Sequence, residues 1–148
     1  MASILMLIVL TMAVPASAAG ERVERSGLDL DAATIPDLQA LMDRGELSSV
    51  RLTKAYLARI RTIDPKIHAV LTLDRTAAAQ AAASDRRRRH GQTRGPLDGI
   101  PVLLKDNVDT KGLATTVGSR AMRAVPPDRD ATVVRKLRAA GAVILAKA

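Results

Sequence analysis

The sequence predicts an α/β fold: helices flanking a mixed β-sheet of which only the first strands are present. Three observations point there. Residues 100–105, 131–140 and 142–146 follow one another as apolar run, helical pattern and apolar run, the order of a βαβ unit. Upstream, stretches of apolar residues recur at helical spacing and need a surface to cover. The chain also holds one aromatic residue, Tyr56, in 148. Its core is therefore packed by Ala, Val, Leu and Ile, and without large aromatic contributions part of that core is expected to lie elsewhere.

The elements follow in order. Residues 1–14 are apolar apart from Ser3 and Thr11, and Ala16-Ser17-Ala18 supplies an A-x-A pattern. This predicts a secretory signal over 1–18, with an uncleaved membrane anchor as the alternative, and hence a secreted or periplasmic protein. Residues 19–30 are expected to form a flexible lead-in, and residues 31–148 the folded part.

Thr34, Pro36 and Asp37 mark a helix start. Ile35, Leu38, Leu41 and Met42 form its apolar stripe, and Gly45 stops it. A second helix starts at Ser48 or Ser49. Val50, Leu57 and Ile60 mark its face, widened by Leu52, Tyr56 and Ile63. It is expected to end at Asp64-Pro65. Alternation over 67–73 predicts a strand containing His68. Asp74 is expected to cap an Ala-rich helix reaching Arg89. After a Gly- and Pro-rich loop, residues 100–105 read as a strand buried on both faces. Residues 106–118 read as an irregular loop turning at Lys111-Gly112. Asp130 is expected to cap a helix with Val133, Val134 and Leu137 inward, Gly141 to end it, and residues 142–146 to form a buried strand.

Charge and composition narrow the function. The net charge is +8, densest at Arg86, Arg87, Arg88 and Arg89. A run of this kind is either a solvated helix end favoured by the C-terminal dipole or an anion- or membrane-surface patch. No aromatic residues interleave for base stacking, so no nucleic-acid partner is expected. Without cysteine there is neither a thiol nucleophile nor a thiolate metal site. His68 and His90 form no metal-ligand spacing. Neither phosphate-binding glycine pattern is present, so no nucleotide cofactor is expected. Asp98, Asp106 and Asp109 read as turn and capping residues.

Lys105 is the candidate catalytic residue. A lysine at the carboxyl end of a buried strand sits where the sheet meets a cleft. Desolvation there disfavours the ammonium form, and a neutral amine can take a proton from a serine hydroxyl. Asp106 and Asn107 follow at once and can hydrogen-bond neighbouring loops or orient the amine. On position alone, a surface lysine after an edge strand is the competing reading.

The segment Gly95-Pro96-Leu97-Asp98-Gly99-Ile100-Pro101-Val102-Leu103-Leu104-Lys105-Asp106-Asn107 resembles the entry to the amidase signature family. Thr115-Thr116-Val117-Gly118-Ser119 resembles the loop that follows there. Residues 134–145 resemble the family's next helix and strand, and the helices before residue 90 match its N-terminal region more loosely. The resemblance implies hydrolysis of amide bonds by a Ser, cis-Ser, Lys triad with no metal or other cofactor. Lys105 falls on the triad's lysine. In the complete enzyme the partner would be a small-molecule amide, with no nucleic acid and, after signal cleavage, no membrane. Both serines of such a triad belong to a Gly- and Ser-rich segment that residues 31–148 do not contain. Gly118-Ser119 lies too early and lacks the flanking glycines. These residues are therefore read as the N-terminal part of an amidase domain, expected to be inactive and marginally stable alone. An exported binding protein on the same scaffold is the alternative.

Overall fold

In the computed structural model, residues 29–122 and 126–148 are described. The expected signal, 1–18, lies outside them, as does nearly all of the lead-in, 19–30. The architecture is a mixed three-stranded sheet with helices packed against it, the fold class the sequence predicts.

Helix α1, Ile35–Asp43, starts as its residues dictate. The Thr34 hydroxyl accepts the Asp37 amide, and the Asp37 carboxylate accepts the Thr34 amide, a reciprocal capping box. Leu38 and Met42 are buried, whereas Ile35, on the expected stripe, is exposed. Helix α2, Ser49–Ile67, is capped by Ser48 and runs through Pro65. The expected stop at Asp64-Pro65 is thus corrected. The helix ends at His68, which takes a left-handed conformation, and the Asp64 carboxylate then accepts the amides of Ala69 and Val70 at 2.7 and 2.9 Å.

That ending also shortens the next strand. Ile67 is helical, His68 is a cap rather than a strand residue, and the amides of Ala69 and Val70 are taken by Asp64. Only Thr72–Leu73 remain as β1. Asp74 then organises the start of α3, Ala77–Arg89, from two residues before the cap position. Its carboxylate accepts the Thr76 amide, the Thr76 hydroxyl and the Gln80 side-chain amide.

Strand β2, Pro101–Leu104, is followed by a loop to a 3₁₀ turn at Arg120–Met122. Then come α4, Thr132–Ala139, and β3, Val143–Lys147. Asp130 does not cap α4. Its carboxylate instead accepts the Lys111 amide and Arg138 Nε, pinning the loop to the helix. Val134 is fully buried as expected, but Val133 is exposed.

The sheet order is β1-β3-β2, with β2 parallel and β1 antiparallel to β3. The centre of the core is β3, whose five residues are all buried. Helix α3 and parts of α2 cover one face through Ala77, Ala81 and Leu57 against Val143 and Leu145. Val134, Leu104 and Leu113 cover the other against Ile144. Alanines at 77 and 81 let α3 approach closely. Truncating Leu145 to Ala in such packing would cost about 3 kcal/mol.

Candidate active site

Parallel pairing places the carboxyl ends of β2 and β3 on one side of the sheet, where α/β folds build their functional loops. Leu104 and Lys147 are register partners there. The pairing runs on past both strands: the Ala148 amide donates to Leu104 O at 2.9 Å, and the Asp106 amide donates to Ala148 O at 2.8 Å. Lys105 is held between these two bonds.

The side chain of Lys105 is exposed, so the expected desolvation is not found among the described residues. The reason is the sheet order. Among the described residues β2 is an outer strand, and Leu103 on it is 45% exposed, so these residues alone do not cover β2 on both faces. The doubly buried strand is β3. Asn107 is exposed. Asp106 is buried, and its Oδ2 accepts the Thr116 amide at 3.1 Å and the Thr116 hydroxyl at 2.5 Å.

The loop after Lys105 is organised by a residue outside the candidate set read from the sequence. Lys147 is fully buried at the end of β3. Its Nζ donates to Val108 O at 2.9 Å, Ala114 O at 3.0 Å and the Thr115 hydroxyl at 2.8 Å. An ammonium has three donors, and all three are spent on this loop. Asp106 Oδ1 lies 3.6 Å from Nζ. It compensates the charge without a hydrogen bond and has no other partner among the described residues. Burial pushes the Lys147 ammonium below its ordinary value, and the Asp106 charge opposes that shift. For Asp106, burial pushes the carboxyl up, but the two Thr116 bonds and the Lys147 charge outweigh it and hold the carboxyl below its usual range. The available signal was a cation directly after Ala142-Val143-Ile144-Leu145-Ala146, since a buried charge must find acceptors.

Farther along the loop Val117 has φ 51°, a left-handed conformation that a β-branched residue rarely adopts. The Thr116 hydroxyl bridges this point to Asp106 by accepting the Gly118 amide at 3.2 Å. A cleft of about 590 Å³ borders the loop, lined by Asp109, Thr115, Ala121, Met122, Pro127 and Asp128 among others. Lys105 is not in its lining.

Two of the four arginines in the basic run make structural contacts. Arg87 pairs with buried Asp98, and Arg88 pairs with Asp43 and bonds the Gln39 side chain. Arg86 and Arg89 are exposed. Among the described residues no cluster of His, Cys, Asp and Glu has the makings of a metal site.

Comparison with known proteins shows the family. The family model described as Amidase matches residues 51–148. The chain is 46% identical over 120 residues to a glutamyl-tRNA(Gln) amidotransferase subunit of Streptomyces coelicolor, covering 80% of this chain and 24% of that protein. Its structure is similar to the native peptide amidase of Stenotrophomonas maltophilia, with TM-score 0.76 and 50% identity over 78% of this chain and 24% of that one. An amidase family protein from Bacillus anthracis superposes with TM-score 0.80 at 30% identity, covering 93% of this chain and 27% of that one. The chain thus spans about a quarter of the length of these relatives. With a family model covering most of its described residues, the chain belongs to the amidase family.

Proposed function

We propose that the protein to which this chain belongs hydrolyses carbon–nitrogen bonds of small-molecule amides, and that this chain supplies the lysine of a Ser, cis-Ser, Lys mechanism. The observation that carries the proposal is the placement of Lys105. It follows the last residue of a strand in a parallel pair, it lies between two inter-strand backbone bonds, and the described residues leave its side chain uncovered. In that mechanism the Lys105 amine takes a proton from the bridging serine, which takes one from the nucleophilic serine as its oxygen attacks the amide carbon. The proton then returns to the leaving nitrogen, and water releases the acid in a second half-reaction. Backbone donors for the oxyanion belong to the part of the domain that also carries the serines.

The peptide amidase of Stenotrophomonas maltophilia and the amidotransferase subunit of Streptomyces coelicolor are similarly close in identity. Export favours the former as a guide to substrate, and the apolar run over 1–14 with Ala16-Ser17-Ala18 supports export. The test uses the protein expressed from its complete coding sequence, with ammonia release from a peptide amide as readout. Lys105→Ala is expected to lower kcat by about 10⁴-fold. Undiminished turnover in that variant would remove the proposal. Amino-terminal sequencing of the secreted protein is expected to begin at Ala19, and an intact Met1 would refute signal cleavage.

A further inference from the structure

We infer that Lys147 is a positioning residue for Lys105, acting through Val108 and through Asp106 with its partner Thr116. The inference rests on the reading of Lys105 as the proton-transfer group and adds what holds that group in place.

The connections are short and continuous. Lys105 O accepts the Val108 amide at 3.0 Å, and Val108 O accepts Lys147 Nζ at 2.9 Å. Lys147 therefore holds the far end of the turn that starts at Lys105. Asp106, the next residue, is fixed by its own amide to Ala148 O and by its carboxylate to Thr116. The Lys147 ammonium, 3.6 Å from Asp106 Oδ1, balances that carboxylate. The other two Lys147 bonds, to Ala114 and Thr115, fold the return limb of the loop over the same point.

Stability alone does not demand the Lys147–Asp106 pair here, although removing one partner and leaving the other buried is costly. The four residues before Lys147 on β3 are apolar and buried. A well-packed apolar side chain in place of a buried ion pair is often neutral or stabilising. What an ammonium adds is direction, because its three donors fix three acceptors relative to one strand end. Strand β3 is the most deeply buried element, so it serves as a rigid reference for an otherwise irregular loop. A reacting group displaced by about 1 Å can lose about 100-fold in rate, which gives such fixing a function.

The experiment measures kcat and KM for a peptide amide on the protein from its complete coding sequence, with thermal unfolding run on every variant. Lys147→Met is expected to lower kcat by about 100-fold and to leave KM within about twofold. Thr116→Val, which removes the hydroxyl that holds Asp106, is expected to lower kcat by about tenfold, and Thr116→Ser is expected to restore it. A merely structural role would lower the melting temperature without changing kcat per folded molecule. Should Lys147→Met fail to fold, the Thr116 pair decides by the same criterion. Folded variants whose kcat stays within about threefold of the parent would overturn the inference. In that case a dead Lys105→Ala would leave the proposed function standing. An active Lys105→Ala would sink the proposed function, and the inference with it.

Discussion

Arg87 grips Asp98 with two nitrogens, Nε to Oδ2 at 3.0 Å and Nη2 to Oδ1 at 2.5 Å, and so ties the last turn of α3 to the loop that enters β2. Asp98 is fully buried, and its Oδ2 also accepts the Arg94 amide at 2.9 Å. Burial pushes this carboxyl up, but the Arg87 bonds, the Arg94 amide and the Arg87 charge hold it below its usual range. Asp98→Asn leaves Arg87 without its counter-ion, and by the cost of breaking a buried pair it should lower stability by about 3 kcal/mol. Urea denaturation would measure this.

The same carboxyl sets a pH dependence. A folded-state value below the unfolded value of about 3.9 means that stabilisation is fully present above that pH. It is lost as pH falls through the depressed folded value. Asp106 acts in the same direction. Melting temperature should therefore hold level from neutral pH down to about 5 and fall steeply below about 4. In Asp98→Asn the acid limb should be shallower. An acid limb unchanged by that substitution would show that Asp98 is not its source.

Gly141 ends α4 at φ +82°, and a Cβ there would lie 2.5 Å from Asp98 Oδ1. That oxygen is held by Arg87 and cannot swing away. Gly141→Ala should therefore cost about 3 kcal/mol, from overpacking together with left-handed strain. Gly45, at φ +72°, has nothing within 4 Å of the same added atom, so Gly45→Ala should cost only about 1 kcal/mol of backbone strain. Equal losses in the two variants would mean that the Asp98 contact contributes nothing.

Ser119 stands in the loop after Lys105, where its amide donates to Thr116 O at 2.7 Å. It forms a turn and is not a nucleophile in the proposed mechanism. Ser119→Ala should leave kcat for a peptide amide within about threefold of the parent, while Lys105→Ala removes nearly all of it. Loss of turnover in Ser119→Ala would reassign the nucleophile to this loop.

Asp64 replaces a strand ladder with a side chain. Asp64→Ala frees the amides of Ala69 and Val70 and should cost about 1 kcal/mol, in the range of a lost cap. Hydrogen exchange at those two amides should accelerate, and the bonds of Leu71 and Asp74 to β3 should stay protected.

Where sequence and structure agree, the governing signal is local. Thr34 with Asp37, Gly141 after α4 and the apolar run of β3 each act within a few residues, and each is found as expected. The misses turn on partners far away in the chain. Alternation over 67–73 suggests a full strand, but the Asp64 carboxylate takes the amides such a strand would need. Apolar Val102-Leu103-Leu104 suggests a doubly covered strand, but among the described residues it is β3 that lies in the middle of the sheet. The place of Lys105 and Asp106 directly after a strand is legible from their motif. The role of Lys147 is not, because its acceptors are carbonyls and a hydroxyl between positions 108 and 115, and the sequence does not report carbonyl positions.

Among the described residues the sheet has three strands, and the third of them in sequence lies between the first two. While the chain is being made, Thr72–Leu73 and Pro101–Leu104 lack this shared neighbour until Val143–Lys147 emerges from the ribosome. Pairings this distant in sequence form slowly. Until the third of these strands arrives, the first two lack the neighbour they share, and their apolar residues are open to a chaperone.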